Sequence, residues 1–263
     1  MSDKLRVGLI GYGFASKTFH APLIAGTPDV ELAAISSSDA SKVHADWPSV
    51  QVVADPQALL DDPTLHLIVI PTPNDTHFPL AKAALNAGKH VVVDKPFTVT
   101  LSQARELDAL AKSSNLVLSV FHNRRWDSDF LTLKALLADG TLGEVVYFES
   151  HFDRFRPQVR NRWREQAGPG SGIWFDLGPH LLDQAINLFG LPISLSVDLA
   201  QLRPGAQATD YFHAVLSYPQ RRVVLHGTML AAAESARYIV HGTRGSYVKF
   251  GLDPQEDRLK SGE

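Results

Sequence analysis

The chain has 263 residues, 44% of them hydrophobic and 20% charged, proportions of an ordinary folded protein that exclude whole-chain disorder. A formal net charge of −3 gives no whole-protein attraction to nucleic acid or an anionic membrane, and the basic runs Arg124-Arg125, Arg154 to Arg164 and Arg221-Arg222 are short. The absence of cysteine excludes disulfides, thiolate metal sites and thiol chemistry.

The first apolar run, Leu5–Ile10, is too short for a signal peptide or a membrane span, so a cytoplasmic protein is expected. From there short apolar runs alternate with helical patterns, the mark of βαβ units and a parallel sheet. Strands are expected at 5–10, 30–35, 50–53, 65–70, 90–93 and 116–120, and their Val, Ile and Leu content suits burial on both faces. Asp55-Pro56 reads as a helix N-cap followed by proline at the first helical position, and Thr100 to Gln103 reads as a capping box. A helix at 78–87 is closed by Gly88. Residues 1–122 are thus expected to form a doubly wound parallel sheet of the Rossmann type.

After His122 the rhythm changes. A helix at 127–138, a strand near 144–151, a polar basic segment to Gly172 and a helix ending at Phe189 come first. Short alternating runs at 193–200, 211–218, 223–229, 238–241 and 246–250 follow, separated by turn residues. Residues 123–263 therefore read as an α+β domain with a largely antiparallel, open-faced sheet. That sheet offers a surface for a homo-oligomer, or else its one-face burial belongs to a monomer.

Gly11-Tyr-Gly13-Phe14-Ala15-Ser16 follows the first strand and opens a helical pattern. Gly11 permits the tight turn and Gly13 lets backbone approach a pyrophosphate, although Ser16 stands at the third glycine position of the fingerprint. The second strand ends in hydroxyls, Ser36 to Ser38, with Lys42 beyond. Neutral Ser37 and a nearby cation tolerate a 2′-phosphate, which favours NADP. If Asp39 slides into the ribose position instead, NAD is restored. Thr72-Pro73-Asn74 and Asp94-Lys95-Pro96 fall past the carboxyl ends of the fourth and fifth strands, the edge where ligands bind. Asn74 and His77 either meet cofactor there or cap the following helix, and for His77 a surface role is the third reading. Lys95, held extended by Pro96, either stabilises an alkoxide or is a surface lysine.

In the second half, Asp176, His180, Asp183 and Gln184 share one helical face if that helix reaches back far enough. Histidine accepts and returns a hydroxyl proton near neutral pH. The competing readings are an exposed polar face and a metal site, the latter lacking a further cluster to complete a shell. Trp163-Arg164 suits packing on a nicotinamide or gripping a phosphate, or is a surface loop. Asn123 and Arg124 either reach a ligand or form salt bridges.

Together these motifs resemble the Gfo/Idh/MocA oxidoreductases: Gly-Tyr-Gly-Phe-Ala-Ser at 11–16, Thr-Pro-Asn-Asp-Thr-His at 72–77, Ala-Gly-Lys-His-Val-Val-Val-Asp-Lys-Pro at 87–96, and Asp176-Leu-Gly-Pro-His180. The family's usual Glu-Lys-Pro is here Asp94-Lys95-Pro96. The resemblance implies a catalytic set of Lys95, Asp176 and His180, and a cofactor contact for Trp163-Arg164. A narrower resemblance, through Phe19-His-Ala-Pro22, His-Asn-Arg-Arg-Trp-Asp-Ser-Asp-Phe at 122–130 and Asp210-Tyr-Phe-His213, is to a bacterial subgroup with NADP-dependent scyllo-inositol dehydrogenases. It implies NADP, and a substrate-facing Tyr211 and His213. Relative to the family the chain is expected to lack C-terminal strands and a returning helix. The expected activity is hydride transfer between a nicotinamide and a secondary alcohol of a polyol, inositol or sugar. The alternatives are a dinucleotide-binding sensor or regulator without turnover, and reduction of a different carbonyl or imine.

Overall fold

Runs such as Leu5–Ile10 and Val30–Ser36 bury nearly every inner side chain, which a strand does when helices cover both of its faces. The computed structural model describes residues 4–262 and divides into two compact units. One comprises the chain up to Phe121 together with the last residues from Leu259; the other is His122–Arg258.

The first unit holds β1 (Leu5–Ile10), β2 (Val30–Ser36), β3 (Gln51–Val53), β4 (Leu67–Ile70), β5 (His90–Val93) and β6 (Leu118–Val120), all parallel, in the order β3-β2-β1-β4-β5-β6. A π-helical turn at Ser16–His20 leads into α1 (Ala21–Gly26), followed by α2 (Ala40–His44), α3 (Pro56–Asp61), α4 (Asn74–Asn86) and α5 (Leu101–Ser113). Strand order reverses between β1 and β4, the point at which open α/β sheets present a ligand crevice. Asp55 and Thr100 cap α3 and α5 through their side chains, as their sequence contexts predict. β6 starts two residues later than expected because the Leu116 N–H closes α5 by bonding the Ala111 carbonyl.

The second unit contains α6 (Ser128–Ala138), β7 (Val145–His151), α7 (Gly172–Phe189), β8 (Ser194–Ala200), β9 (Tyr211–Ser217), β10 (Arg222–Thr228), β11 (Ala236–Gly242) and β12 (Ser246–Phe250). Its sheet runs β12-β11-β7-β10-β9-β8 and is antiparallel except for the β7–β10 pair. Ile173, Leu177, Leu181 and Ala185 of α7 share one core cluster with Phe148, Phe212, Ala214, Leu225 and Tyr238 from one face of this sheet. The opposite face carries Glu149, His151, His213, His226 and Ile239. After Asp253 the chain forms α8 (Gln255–Ser261). Asp253 ties this region to α6 by accepting from the Ser128 backbone N–H at 2.6 Å. Among the described residues no helix is long and apolar enough to cross a membrane.

Candidate active site

The loop after β1 is held by the end of β2. Gly11 lies at φ +81°, a region that favours glycine. Its N–H donates to the Ser36 carbonyl at 2.8 Å, and the Ser36 hydroxyl lies 3.2 Å from the same nitrogen. Ser16, out of place in the glycine fingerprint, is buried and donates its hydroxyl to the Gly11 carbonyl at 2.8 Å, so here a side chain closes the turn. A Cβ on Gly13 would meet nothing within 4 Å, which leaves that backbone open to a ligand. Phe14 is exposed beside it, and Ala15 is half-buried. Tyr12 fixes the loop from behind by donating to Asp46 at 2.8 Å, and burial with that carboxylate pushes its phenol up to about 12.

At the tip of β2 the hydroxyl of Ser37 lies 3.1 Å from both the N–H and the carbonyl of Asp39. Asp39 itself caps α2, accepting from the Lys42 N–H at 3.1 Å. That carboxylate is committed to the helix, and the tip of β2 presents hydroxyls with the exposed Lys42 nearby. An open glycine backbone beside neutral hydroxyls and a cation fits a dinucleotide with or without a 2′-phosphate.

The loop between β4 and α4 is shorter than expected. Helix α4 begins at Asn74, a turn before the expected residue 78, with Pro73 at its N-cap and no side-chain cap. Asn74 is buried in the first turn, so it does not serve as the cap. His77 is neither a cap nor a surface residue. It is fully buried, with its ring between the carbonyl oxygens of Thr72 and Pro96, 2.8 Å from each. Both ring nitrogens are occupied, so its contribution to a cofactor site is to clamp the Thr72 and Lys95 loops together. The Thr76 hydroxyl adds a 2.6 Å contact to the Thr72 hydroxyl.

Lys95 is half-buried at the end of β5, and its peptide bond to Pro96 is cis. Its backbone N–H donates to Asp94 at 2.9 Å. The other Asp94 oxygen lies 3.7 Å from Nε2 of His20, a buried ring tilted 43° against Phe121 with centroids 4.2 Å apart. Burial pushes the Asp94 carboxyl up, but His20 and Lys95 outweigh it and hold it below the usual range. The only sign of His20 in the sequence is its place in the Phe-His-Ala-Pro motif.

In the second unit α7 does reach back to Gly172 and runs through Pro179. Asp176 and His180 are one turn apart, the first half-buried and the second buried. The rest of the expected stripe has other duties. Asp183 takes the Arg125 guanidinium through both oxygens, at 2.5 and 2.7 Å. Gln184 has no exposed surface and bonds the Arg124 carbonyl, Arg237 and Tyr238. The face is therefore not an exposed polar surface: Asp183 and Gln184 are taken up by structural partners, and Asp176 and His180 remain as the candidate chemical pair. Among the described residues no group of three or more His, Cys, Asp or Glu is placed to hold a metal ion.

Arg164 stacks over Trp163 at 4.5 Å and reaches Asp176 at 3.5 Å, bringing the basic segment to the α7 carboxylate. Arg203, Glu165 and Asp210, none singled out from the sequence as an ion-pair network, form a buried one beneath that segment, with contacts of 2.9 and 3.0 Å. Asn123 lies half-buried in the 3-10 turn Asn123–Trp126, and Arg124 pairs with Asp127 at 3.2 Å and Glu256 at 2.8 Å, the salt-bridge alternative. Tyr211 and His213 do not join Asp176 and His180. The alternation of β9 sends Phe212 and Ala214 to the α7 core and leaves Tyr211 and His213 on the opposite face, beside His226.

Residues 5–122 match the family model described as the oxidoreductase family, NAD-binding Rossmann fold, and residues 134–263 match its C-terminal alpha/beta domain. The chain is 84% identical over its whole length to the uncharacterized oxidoreductase YdgJ of Escherichia coli, covering 76% of that protein. It is 37% identical to IolW of Bacillus subtilis, a scyllo-inositol 2-dehydrogenase (NADP(+)), over 99% of this chain and 73% of that one. A solved structure of YPO2259 from Yersinia pestis superposes with a TM-score of 0.95 at 75% identity, covering 100% of this chain and 74% of that one.

Proposed function

Because the chain belongs to the Gfo/Idh/MocA oxidoreductase family, we propose that it is an NADP-linked dehydrogenase or reductase acting on a secondary hydroxyl of a polyol, inositol or sugar. The observation that carries this reading is the placement of Asp176 and His180 one turn apart on α7, with Arg164 alongside the carboxylate. IolW, whose name gives scyllo-inositol and NADP, supports the same class of substrate and cofactor here. Gly11, Gly13, Phe14, Ala15, Thr72, Pro73 and Asn74 would hold the dinucleotide, and Ser37 with Lys42 would accept its 2′-phosphate. The absence of cysteine suits a reducing compartment, and the reading places the protein in the cytoplasm.

A nicotinamide dinucleotide, when bound, supplies the acceptor for the hydrogen and electron pair that leave the carbinol carbon. His180 takes the hydroxyl proton, and the carbon–oxygen bond becomes a carbonyl. Lys95 offers its ammonium to the oxygen as negative charge develops there. Asp176 holds a neighbouring hydroxyl, which favours a substrate with several of them.

The test is nicotinamide absorbance with NADP or NAD and a panel of inositols and sugars. Turnover is expected with NADP ahead of NAD. Lys95→Met and His180→Ala should each lower kcat by about a hundredfold or more. Gly13→Val, whose side chain would enter space left open by the protein, should weaken NADP binding with little change in Tm. Near-normal turnover in both the Lys95 and His180 variants would overturn the assignment.

A further inference from the structure

Between positions 154 and 165 the chain places Arg154, Arg156, Arg160, Arg162 and Arg164 against a single carboxylate, Glu165. That carboxylate is already used: it accepts from the Arg160 N–H at 3.0 Å and Arg162 at 2.7 Å, and pairs with buried Arg203 at 3.0 Å. Asp210 is likewise taken up by Arg203, at 2.9 Å. Arg164 is matched with Asp176. Among the described residues, neither Arg154 nor Arg156 has a carboxylate within ion-pair distance, and neither guanidinium donates a hydrogen bond. Arg154 instead lies over the ring of Phe152, 5.0 Å from its centroid. Burial pulls both guanidiniums below their usual range, and neighbouring arginines add to the effect.

The backbone that carries them is fixed. The N–H groups of Arg154 and Arg156 donate to the carbonyls of Thr228 and Met229 at 2.9 and 2.7 Å. The Arg203 guanidinium holds the carbonyls of Arg156 and Gln158 at 3.0 and 3.2 Å. Two residues apart on extended backbone, Arg154 and Arg156 project to the side that Phe152 occupies, and Phe152 belongs to the core that α7 covers. The negative charge of Asp176 acts on both of them. Glu256 also acts on Arg154 and Glu165 on Arg156, but Glu256 is paired with Arg124 and Glu165 with Arg162 and Arg203, and Asp176 is matched with Arg164, so Arg154 and Arg156 add positive charge on a rigid support.

We propose that Arg154 and Arg156 form an oxyanion subsite beside Asp176, so that the substrate is a polyol or sugar bearing a carboxylate or phosphate group. The inference rests on the oxidoreductase reading of the same site and narrows its substrate to sugar acids and sugar phosphates. Guanidiniums are suited to such a group because their paired N–H donors match an oxyanion, and Arg154 has already lost much of its water in the folded chain.

The experiment compares kcat/KM for neutral and anionic partners (myo-inositol against myo-inositol 1-phosphate, glucose against glucuronate and glucose 6-phosphate). Calorimetric titration of glucuronate and inorganic phosphate into the protein, without turnover, runs beside it. Arg154→Gln and Arg156→Gln are the test variants. Arg221→Gln, which removes a guanidinium stacked on Phe189, is the control for net charge. The anionic partner is expected to lead by tenfold or more, and each test variant should erase roughly tenfold of that lead while neutral turnover and the control stay within about twofold. The better of glucuronate and the phosphate esters identifies which oxyanion is bound, and either supports the subsite. A neutral substrate that leads in the unmodified protein and is indifferent to Arg154→Gln overturns it and leaves the dehydrogenase reading standing. So does a loss of NADPH affinity in the variants with no change in substrate preference, which would assign these arginines to the cofactor. If no substrate turns over but oxyanion binding is lost with Arg154→Gln, the dehydrogenase reading fails and the subsite survives.

Discussion

Asp127 is a carboxyl whose ionisation the fold opposes. Its side chain is 12% exposed and lies 3.2 Å from Arg124, with Asp129 and Asp253 nearby. Burial pushes its pKa up, Arg124 pulls it down, the two neighbouring carboxyls push it up again, and the result is about 6. For an acid whose folded pKa exceeds its unfolded value near 3.9, the folded state binds the proton more tightly. Its contribution to stability is therefore largest below about pH 4 and falls as pH rises through 6, by roughly 3 kcal/mol at the limit. Asp127→Asn cannot ionise and leaves Arg124 with Glu256. The Tm difference, variant minus unmodified, should become more positive from pH 4.5 to 7.5; a constant or falling difference would contradict the raised pKa. No local pattern in the sequence announces this. Asp127 reads only as the first residue of the expected helix at 127–138, and Asp253, which helps set its pKa, lies over a hundred positions away.

Helix α7 shows how far periodicity carries and where it stops. With Asp176 four residues before His180, and Asp183 and Gln184 three and four after it, the spacing placed all four on one face, and the helix runs the required length. Their separate duties come from partners distant in sequence. Asp183 meets Arg125, 58 positions away, and Gln184 meets Arg237, 53 positions away. Gln184 is the clearest case, because its amide satisfies a carbonyl at 2.9 Å while its oxygen accepts from Arg237 and the Tyr238 hydroxyl, both at 3.1 Å. Leucine has nearly the same volume but removes one partner from each group: the Arg124 carbonyl keeps the Asp127 N–H, Arg237 keeps Ser150 and the His151 carbonyl, and the buried Tyr238 hydroxyl loses its hydrogen bond to Gln184. Gln184→Leu is therefore expected to cost about 2–4 kcal/mol in urea unfolding, with an unchanged m-value. A loss below about 1 kcal/mol would mean that water reaches the network. The α4 start differs from the expected residue 78 because the turn from Asn74 forms first and the helix passes through Pro79.

At the scale of the whole molecule, the alternating rhythm of the first half was legible because each parallel strand and its helix are contiguous in sequence. The second sheet was legible in its strands but not in its order. β7 pairs in parallel with β10, a choice made by long-range packing that no turn signal records. The same packing decides which face is left without the α7 core. Glu149, Ile239 and Val248 align across three strands on that face, and Val248 and Phe250 are 47% and 57% exposed. An edge strand carrying such residues beside half-buried histidines suits burial against a second copy of the chain. In a two-fold assembly the same patch is used by both partners, so one added charge counts twice. The unmodified protein is expected to run as a homo-oligomer in size exclusion with light scattering at micromolar concentration. Val248→Lys combined with Phe250→Lys should shift it toward the monomer mass while NADP affinity stays within about twofold. Lysine at these positions adds charge to an already exposed edge, so the folded subunit tolerates it. A monomeric unmodified protein, or a double variant that keeps the full assembly mass, would show that this face is not where copies meet.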